Sequence, residues 1–176
     1  MTYRRPRSAP APTPRPVHPL IARIGATRAF TTLAPRLLHP CDLAVHRLSR
    51  GRWLPSRLLL PTVLLTTTGR RTACPRTVPV CAYPLADGSW LVAATNFGRR
   101  QHPAWALNLL HRPHATLTSH QRVQRVTAHR LPPGRVRAHR QHILTMLPTY
   151  DAYAARAGTR EVHVFRLDPV APPCAA

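Results

Sequence analysis

The stretch that decides the fold is residues 58–83, LLLPTVLLTTTGRRTACPRTVPVCAY, which joins an apolar segment, a basic turn and a second apolar segment. Residues 63–68 are aliphatic or β-branched, and such side chains pack well on the pleated surface of a strand. Gly69 interrupts this pattern, and residues 78–83 are typical of a second strand. We therefore expect a β-hairpin that presents a tight turn over residues 69–72.

The predicted turn is dense in hydrogen-bond donors. Arg70, Arg71 and the Thr72 hydroxyl lie within it, and Arg76 follows shortly after. A guanidinium group makes bidentate, charge-assisted hydrogen bonds to phosphate or carboxylate. The turn is therefore suited to bind an anion. Spacing alone does not distinguish this from a turn whose arginines are simply solvated, as expected on an arginine-rich protein.

Composition favours one domain with its own core, since the chain has 176 residues. All 26 basic residues are arginine and only five residues are acidic, which gives a net charge of +21. Such a surface attracts polyanions, whether nucleic acid, acidic lipid headgroups or a multiply charged cofactor. The four cysteines form no CxxC pair, so reduced thiols are expected, and no metal site is expected among the scattered histidines.

The ends of the chain differ in composition from its centre. Residues 1–19 are rich in arginine and proline and predict a disordered tail, and residues 171–176 predict a second tail. Residues 20–54 predict short helices broken at Pro35 and Pro40, the last of them running from an N-cap at Asp42 to Leu48. This segment could lie on an anionic membrane or cover the mouth of the domain. We favour the cover, because helices usually bury their apolar face within the molecule.

The centre of the chain, residues 55–170, predicts an α+β fold that is mainly β, a small barrel with helices packed outside it. A turn at residues 86–89 separates strands at 78–83 and 90–95, and a second hairpin over residues 115–130 turns at Ser119 and His120. Pro103 opens a helix. Residues 134–147 are helical in type, a second helix carries Tyr150 and Tyr153, and residues 162–167 form the closing strand.

Three ordered blocks carry a resemblance to a known family. TTTGRRTACPRTVPV (66–80) matches the TTTGRKSGxPRxxPL signature of the deazaflavin-dependent nitroreductases and quinone reductases, which use coenzyme F420. WLVAATNFGRRQHPAWALNLL (90–110) resembles the second block of that family, and LPTYDAY (147–153) resembles its tyrosine-bearing helix. The resemblance implies a split β-barrel of the flavin-binding type and reduced F420 as cofactor.

The resemblance also implies which residues meet the coenzyme. The hairpin would contact its phosphate and acidic tail, the strand after it would run beneath it, the second block would face and close over the deazaflavin ring, and two tyrosines would line the site. The implied coenzyme contacts are Arg70, Arg71, Thr72, Arg76, Thr77, Val78, Pro79, Val80, Cys81, Ala93, Ala94, Thr95, Asn96, Ala104, Trp105, Ala106, Leu107, Asn108 and Tyr150. We assign Tyr150 and Tyr153 as catalytic residues, with Tyr153 serving the acceptor oxygen. A role in packing alone is the alternative for Trp105 and for both tyrosines.

Several residues depart from the pattern of the family. Ala73 stands where glycine is usual, so we expect no positive φ there. Asn96 replaces a basic residue seen in some members, and Ala106 and Leu147 replace tyrosines. The substrate pocket is therefore expected to differ from that of other members.

We predict an oxidoreductase that passes a hydride from reduced F420 to a small acceptor such as a quinone or nitro compound. The sequence has no recognisable hydrolytic constellation and no GxGxxG turn, so a cofactor has to supply the reactivity. The alternatives are an arginine-rich nucleic-acid-binding protein and a coenzyme-binding protein without turnover. Nucleic acid is not the expected partner, because single-strand stacking platforms and duplex-binding motifs are lacking. We expect a cytoplasmic protein. A homodimer, and peripheral contact of the N-terminal segment with the inner face of the membrane, are left open.

Overall fold

A computed structural model describes residues 27–50, 52–58 and 60–170. The strands are β1 (Thr62–Thr68), β2 (Pro75–Pro84), β3 (Trp90–Ala93), β4 (His114–Ser119), β5 (Arg122–Arg130) and β6 (Val164–Pro169). The helices are α1 (Arg28–Leu48), α2 (Ala104–His111), α3 (Pro133–Ala138), α4 (Arg140–Met146) and α5 (Tyr150–Arg156), with short 3-10 helices at Pro55–Leu58 and Asn96–Gly98. The predicted tails, 1–19 and 171–176, lie outside the described residues. Within the described part of the chain, no helix is long and apolar enough to cross a membrane.

The six strands form a closed antiparallel barrel in the order β1-β2-β3-β6-β5-β4. Its interior is filled by alternating apolar side chains, because successive residues of a strand point to opposite faces. Leu65, Val92, Leu117 and Phe165 are at most 1% exposed and belong to this core. The predicted α+β fold, a β-barrel with external helices, is confirmed.

A second apolar cluster lies outside the barrel. Ile143 and Met146 of α4 are fully buried there against Leu91 of β3 and Val164 of β6. Tyr153 of α5 belongs to the same cluster and is 3% exposed. The helices after β5 are therefore held on the barrel by their apolar faces, as the predicted arrangement requires.

The predicted break of the N-terminal helices at Pro35 and Pro40 is wrong. One helix, α1, runs through both prolines, although each proline removes one helical hydrogen bond. Asp42 is not an N-cap, since it lies inside α1, is 2% exposed, and accepts a hydrogen bond from the backbone N–H of Ser56 at 2.9 Å. The carboxylate therefore ties α1 to the 3-10 helix at Pro55–Leu58, which stabilises the helix from outside.

The β1–β2 turn is closed by two backbone hydrogen bonds. The N–H of Gly69 donates to the carbonyl of Cys74, and the N–H of Ala73 donates to the carbonyl of Gly69, each at 2.8 Å. A Cβ at Gly69 would lie 2.9 Å from the Thr72 hydroxyl, which explains the glycine. The expectation that Ala73 avoids a positive φ is wrong, because its φ is 56°. The turn forces alanine into the conformation that glycine adopts more readily.

Replacing Ala73 by glycine should therefore stabilise the protein by roughly 0.5 to 1 kcal/mol. The left-handed conformation costs alanine about 1 to 2 kcal/mol, and the larger entropy that glycine loses on folding offsets part of the gain. Urea unfolding of both proteins measures the difference. Ala155→Gly in α5 is the control and should destabilise the protein by about 1 kcal/mol. A destabilised Ala73→Gly variant would contradict the proposed strain.

The other predicted turns are confirmed with small shifts. Gly88 in the β2–β3 turn has a φ of 84°, and the Asp87 carboxylate accepts a hydrogen bond from the Ser89 N–H at 3.0 Å. The second hairpin turns at His120 and Gln121 rather than at Ser119 and His120. Both residues have positive φ, 46° and 65°, which suits the twist of a two-residue hairpin.

Candidate functional site

One wall of the candidate site is the middle of β2. Residues 78–81, which follow the basic turn along the strand, line a cavity beside the barrel. Val80 pairs with Val63 of β1, so the wall is fixed by the barrel itself. Burial raises the pKa of the Cys81 thiol to about 12, and the thiol is therefore protonated at neutral pH. Cys81 is consequently a poor nucleophile at neutral pH.

The opposite wall is the start of α2. Pro103 is the N-cap of this helix, and Ala104 and Trp105 line the cavity. The Trp105 ring also packs on Phe165 of β6, with ring centroids 5.9 Å apart. Trp105 therefore both anchors α2 to the barrel core and faces the cavity.

The cavity between these walls has a volume of about 430 Å³. Helix α1 contributes Phe30 and Asp42, and α5 contributes Tyr153. Apolar and aromatic side chains dominate the lining, and the volume is within the range of small-molecule sites. The cavity can therefore hold a flat apolar ring. The full lining is Phe30, Asp42, Ser56, Leu60, Thr62, Val78, Pro79, Val80, Cys81, Ala93, Thr95, Asn96, Phe97, Arg99, His102, Pro103, Ala104, Trp105, Leu147, Pro148, Thr149 and Tyr153.

A strained segment after β3 forms the third wall. Asn96, Phe97 and Gly98 have positive φ values of 49°, 55° and 76°. A Cβ at Gly98 would lie 2.9 Å from the Cβ of Arg156, so α5 can approach only a glycine here. Strained backbone of this kind persists only where surrounding contacts impose it.

Arg160 supplies those contacts. Its guanidinium group donates to the carbonyls of Ala94 at 3.0 Å, Thr95 at 2.7 Å and Arg99 at 2.9 Å. Burial lowers the pKa of Arg160, and each of its three nitrogen atoms donates one hydrogen bond to a carbonyl. Sequence reasoning missed this residue, because nothing distinguishes one arginine among 26 before the fold brings it to the segment.

The basic hairpin lies beyond the end of the cavity. Arg76 precedes the Val78 wall by about 7 Å of strand. The backbone N–H of Arg70 donates at 3.0 Å to the side-chain carbonyl of Asn108, which lies one helical turn, about 6 Å, beyond the Ala104 wall. Asn108 is 5% exposed and also donates to the Thr67 hydroxyl at 3.0 Å. The hairpin is therefore attached to both walls of the cavity through β2 and α2.

The arginines of the hairpin have no carboxylate partner among the described residues. All five acidic residues of the chain are described, and each is engaged elsewhere. The Asp42 carboxylate accepts a hydrogen bond from the Ser56 N–H. The other four acidic residues form ion pairs with arginines that are distant in sequence from the hairpin. The exposed side chains of Arg70, Arg71 and Arg76 therefore leave guanidinium donors available to an exogenous anion.

The two predicted tyrosines occupy different positions. Tyr153 lines the cavity, whereas Tyr150, at the start of α5, does not. Only one of the two tyrosines assigned as catalytic therefore lies at the cavity. Burial raises the pKa of both phenols, and a hydrogen bond with the Thr149 side chain partly opposes this for Tyr153. The Tyr153 phenol is protonated at neutral pH and can donate a hydrogen bond.

A stacked pair of histidines lies beside the cavity. The rings of His102 and His163 are 4.4 Å apart and inclined by 27°, and both Nδ1 atoms are buried without a hydrogen-bond partner in the described structure. Burial, reinforced by Arg130 and Arg160, lowers the pKa of both imidazoles. Sequence reasoning missed this pair, since the two residues come together only when β6 passes the start of α2.

Acid should therefore destabilise the protein through these histidines. In the unfolded chain they bind protons below about pH 6.5, whereas the folded state resists protonation, so unfolding becomes more favourable as pH falls. Urea midpoints between about pH 7.5 and about pH 5 measure this slope. His163→Phe should reduce it, and His111→Phe, at an exposed position, should leave it unchanged. An undiminished slope in His163→Phe would show that other groups set the acid sensitivity.

The structure brings together about half of the residues predicted from the resemblance. Ala94 and Ala106 are fully buried in the barrel core, and buried Asn108 supports the hairpin from behind. These three residues therefore lie behind the cavity surface rather than on it. The predicted residues that line the cavity are Val78, Pro79, Val80, Cys81, Ala93, Thr95, Asn96, Ala104, Trp105 and Tyr153. Those that do not are Arg70, Arg71, Thr72, Arg76, Thr77, Ala94, Ala106, Leu107, Asn108 and Tyr150.

Comparison with known proteins shows which family this chain resembles. A model of the F420H(2)-dependent quinone reductase family matches residues 45–169. The solved structure of an F420-H2 dependent reductase (FDR-A) is 26% identical and has a TM-score of 0.55, over 61% of this chain and 94% of that chain. A second structure, described as a domain-swapped dimer, is 24% identical with a TM-score of 0.57, over 73% of this chain and 99% of that one, and it supports the fold alone. The family match contains all six strands.

Proposed function

The chain belongs to the F420H(2)-dependent quinone reductase family, and from this premise we propose how its cavity holds the coenzyme and which acceptor it reduces. The protein is an oxidoreductase whose cofactor is coenzyme F420. We propose that the acceptor is a small quinone, with nitro compounds as the second candidate class. The domain proposed to do this is residues 55–170, with the described part of residues 20–54 as its cover.

One observation carries the proposal, namely an apolar cavity near a hairpin whose exposed arginines have no carboxylate partner among the described residues. The coenzyme has a flat deazaflavin ring and a phosphate with an acidic tail. The cavity walls at Val80 and Trp105 suit the ring, and Arg70 and Arg71, without carboxylate partners among the described residues, suit the tail. The residues present therefore fit the group at both of its ends.

We assign the individual contacts on this basis. Arg70, Arg71, Thr72 and Arg76 hold the phosphate and acidic tail through charge-assisted hydrogen bonds. The ring is held by the residues that line the cavity, namely residues 78–81, Ala93, Thr95, Asn96, Ala104 and Trp105. Leu107 and Asn108 support these contacts from α2, and Thr77 links β2 to β1 through a 2.9 Å hydrogen bond between its hydroxyl and that of Thr66.

The protein contributes orientation, exclusion of water and charge stabilisation. When bound, reduced F420 supplies the hydride. Reduction of a quinone or nitro group leaves negative charge on oxygen, which a nearby donor stabilises. Tyr153 is the proposed donor, because this residue lines the cavity and its phenol is protonated at neutral pH. The Asp151 carboxylate does not interfere, since Arg140 neutralises it through hydrogen bonds of 2.9 and 2.7 Å.

Helix α1 covers one side of the cavity. Phe30 and Asp42 both line it, and the Phe30 ring lies 6.3 Å from that of Phe97. We propose that α1 limits the access of water and admits an apolar acceptor, which agrees with the predicted cover.

The acceptor is tested by reoxidation of reduced F420 in the presence of purified protein. A quinone with a short apolar tail, a nitroaromatic compound and no acceptor are compared in parallel, with protein-free reactions as controls. We expect protein-dependent reoxidation by the quinone at the highest rate. If the reoxidation rates with and without protein are equal for every acceptor, the protein does not catalyse the reaction and is a coenzyme-binding protein without turnover.

A further inference from the structure

A polar region interrupts the apolar lining of the cavity on the side that α1 covers. Asp42 of α1, Ser56 of the 3-10 helix at Pro55–Leu58 and Thr62 of β1 all line the cavity. Asp42 is 2% exposed and Thr62 is 6% exposed. We call these three residues the polar subsite. Buried polar groups are costly unless they are hydrogen-bonded, so the bonding capacity of the subsite indicates what it can hold.

The Asp42 carboxylate can accept more hydrogen bonds than the one that ties it to the 3-10 helix. Its Oδ1 atom accepts from the Ser56 N–H at 2.9 Å, whereas the two oxygens of a carboxylate offer about four acceptor positions. Asp42 forms no ion pair with a residue that the structure describes. The carboxylate lies near β2, because burial raises the pKa of the Cys81 thiol and the charge of Asp42 raises it further. A ligand against β2 is therefore within the influence of this carboxylate.

The Ser56 hydroxyl complements the carboxylate. Its Oγ atom is buried and has no hydrogen-bond partner in the described structure. The Thr62 hydroxyl differs, since it donates to the Leu60 carbonyl at 3.2 Å. A serine hydroxyl can both donate and accept. A hydroxyl group of a ligand would therefore satisfy both members of the subsite, by donating to Asp42 and accepting from Ser56.

The position of Asp42 in the chain indicates which ligand carries that hydroxyl. Val80 and Trp105, which form the walls proposed for the deazaflavin ring, lie within the residues that match the family, 45–169. Asp42 lies before them, on the helix that covers the cavity. The coenzyme is shared by the family, so a group outside the shared region is better suited to recognise the acceptor.

We propose that the polar subsite binds a hydroxyl group of the acceptor, and that the preferred acceptor is a small quinone with a hydroxyl-bearing side chain. The choice of a quinone rests on the proposed function. Asp42 and Ser56 are then residues that determine specificity. A site built to bond a hydroxyl discriminates against the analogue that lacks it, because the buried polar groups of the site are left unpaired.

The test compares methylnaphthoquinone with hydroxymethylnaphthoquinone, which share a ring and differ by one hydroxyl. Quenching of tryptophan fluorescence measures binding, since Trp105 lines the cavity, and reoxidation of reduced F420 measures turnover. The parent should bind the hydroxymethyl compound about tenfold or more tightly, as expected for a hydrogen bond to a charged group. The difference in turnover should be in KM with kcat little changed, because the contact is present in both the ground state and the transition state.

Two variants remove the subsite with little effect on the fold. Ser56→Ala removes the hydroxyl but keeps the main-chain N–H that bonds to Asp42. Asp42→Asn keeps one oxygen for that N–H and replaces the other by an NH₂ group, which donates and does not accept. Each variant should lose most of the preference for the hydroxymethyl compound. Each should bind methylnaphthoquinone and F420 as the parent does, and circular dichroism checks its fold.

Ser119→Ala and Asp151→Asn are the matched controls, since neither residue lines the cavity, and both should keep the preference. The proposal is overturned if the parent binds the two quinones equally, or if the Ser56 and Asp42 variants keep the preference. It is also overturned if these variants lose affinity for F420 alone, because the subsite then serves the coenzyme. Selective binding of the hydroxymethyl compound without turnover would support the subsite and contradict quinone reduction, whereas turnover without any preference would contradict the subsite alone.

Discussion

Replacing Arg70 and Arg71 by alanine, one at a time, should weaken coenzyme binding by roughly 1.5 to 3 kcal/mol each, or about ten- to a hundredfold. Their guanidinium groups are exposed and have no carboxylate partner among the described residues, so they are available to the proposed anionic tail. The backbone contact between Arg70 and Asn108 survives the substitution, because it uses the main-chain N–H. The turn should therefore keep its conformation, and the loss of coenzyme affinity should measure the contribution of the arginine side chain.

Fluorescence titration with F420 measures this loss, at two salt concentrations because partly exposed ion pairs are screened. Arg122→Ala and Arg125→Ala, at exposed positions of β5, are controls of equal charge and should bind as the parent does. Non-specific affinity for duplex DNA should change equally in all four variants, because it depends on distributed charge. If both hairpin variants bind F420 with the affinity of the parent, the hairpin is not part of the coenzyme site.

Tyr153→Phe should lower turnover by about tenfold or more, within the range for loss of one donor or general acid. Phenylalanine keeps the ring, which packs on Phe97 with centroids 6.0 Å apart, and removes only the hydroxyl. Coenzyme affinity should therefore stay nearly constant while turnover falls. Steady-state rates with a quinone, together with the F420 titration, separate the two effects.

Tyr150→Phe is the matched control, since Tyr150 lies on the same helix but does not line the cavity. It should change turnover little. If both phenylalanine variants reduce quinone as the parent does, the tyrosines serve packing and the proton comes from water.

The barrel was predictable because its signals are local. The alternation of apolar residues and the turn at Gly88 depend on neighbours in sequence, and they located each strand to within a few residues. Helix α1 was not predictable in the same way. The local sequence opposes a helix through Pro35 and Pro40. The helix is stabilised by contacts with β2 and by the hydrogen bond between the Asp42 carboxylate and the Ser56 N–H, both of which are distant in sequence.

The candidate site likewise contains residues that local sequence motifs predicted and residues that only the fold brings together. Trp105, which lines the cavity, was found because its motif is short and continuous in sequence. The hairpin arginines come from a motif of the same kind, and their contact with the coenzyme stays a prediction. Three residues were not found, because each comes from a distant part of the chain. Phe30 lines the cavity, Arg160 bonds the carbonyl of Thr95, and His163 stacks on His102. The motif predicted that Ala106 contacts the deazaflavin ring, but its side chain is buried in the core. A sequence motif gives the position of a residue in the chain and does not give the direction of its side chain.

The central claim is that the cavity and the hairpin together hold coenzyme F420. Fluorescence titration of the purified protein with F420 and FMN in parallel, at physiological salt, tests it most directly. We expect saturable, tight binding of F420 and little binding of FMN, because the hairpin arginines match the longer anionic tail of F420. Binding of neither compound, or binding of FMN as tight as that of F420, would contradict the account.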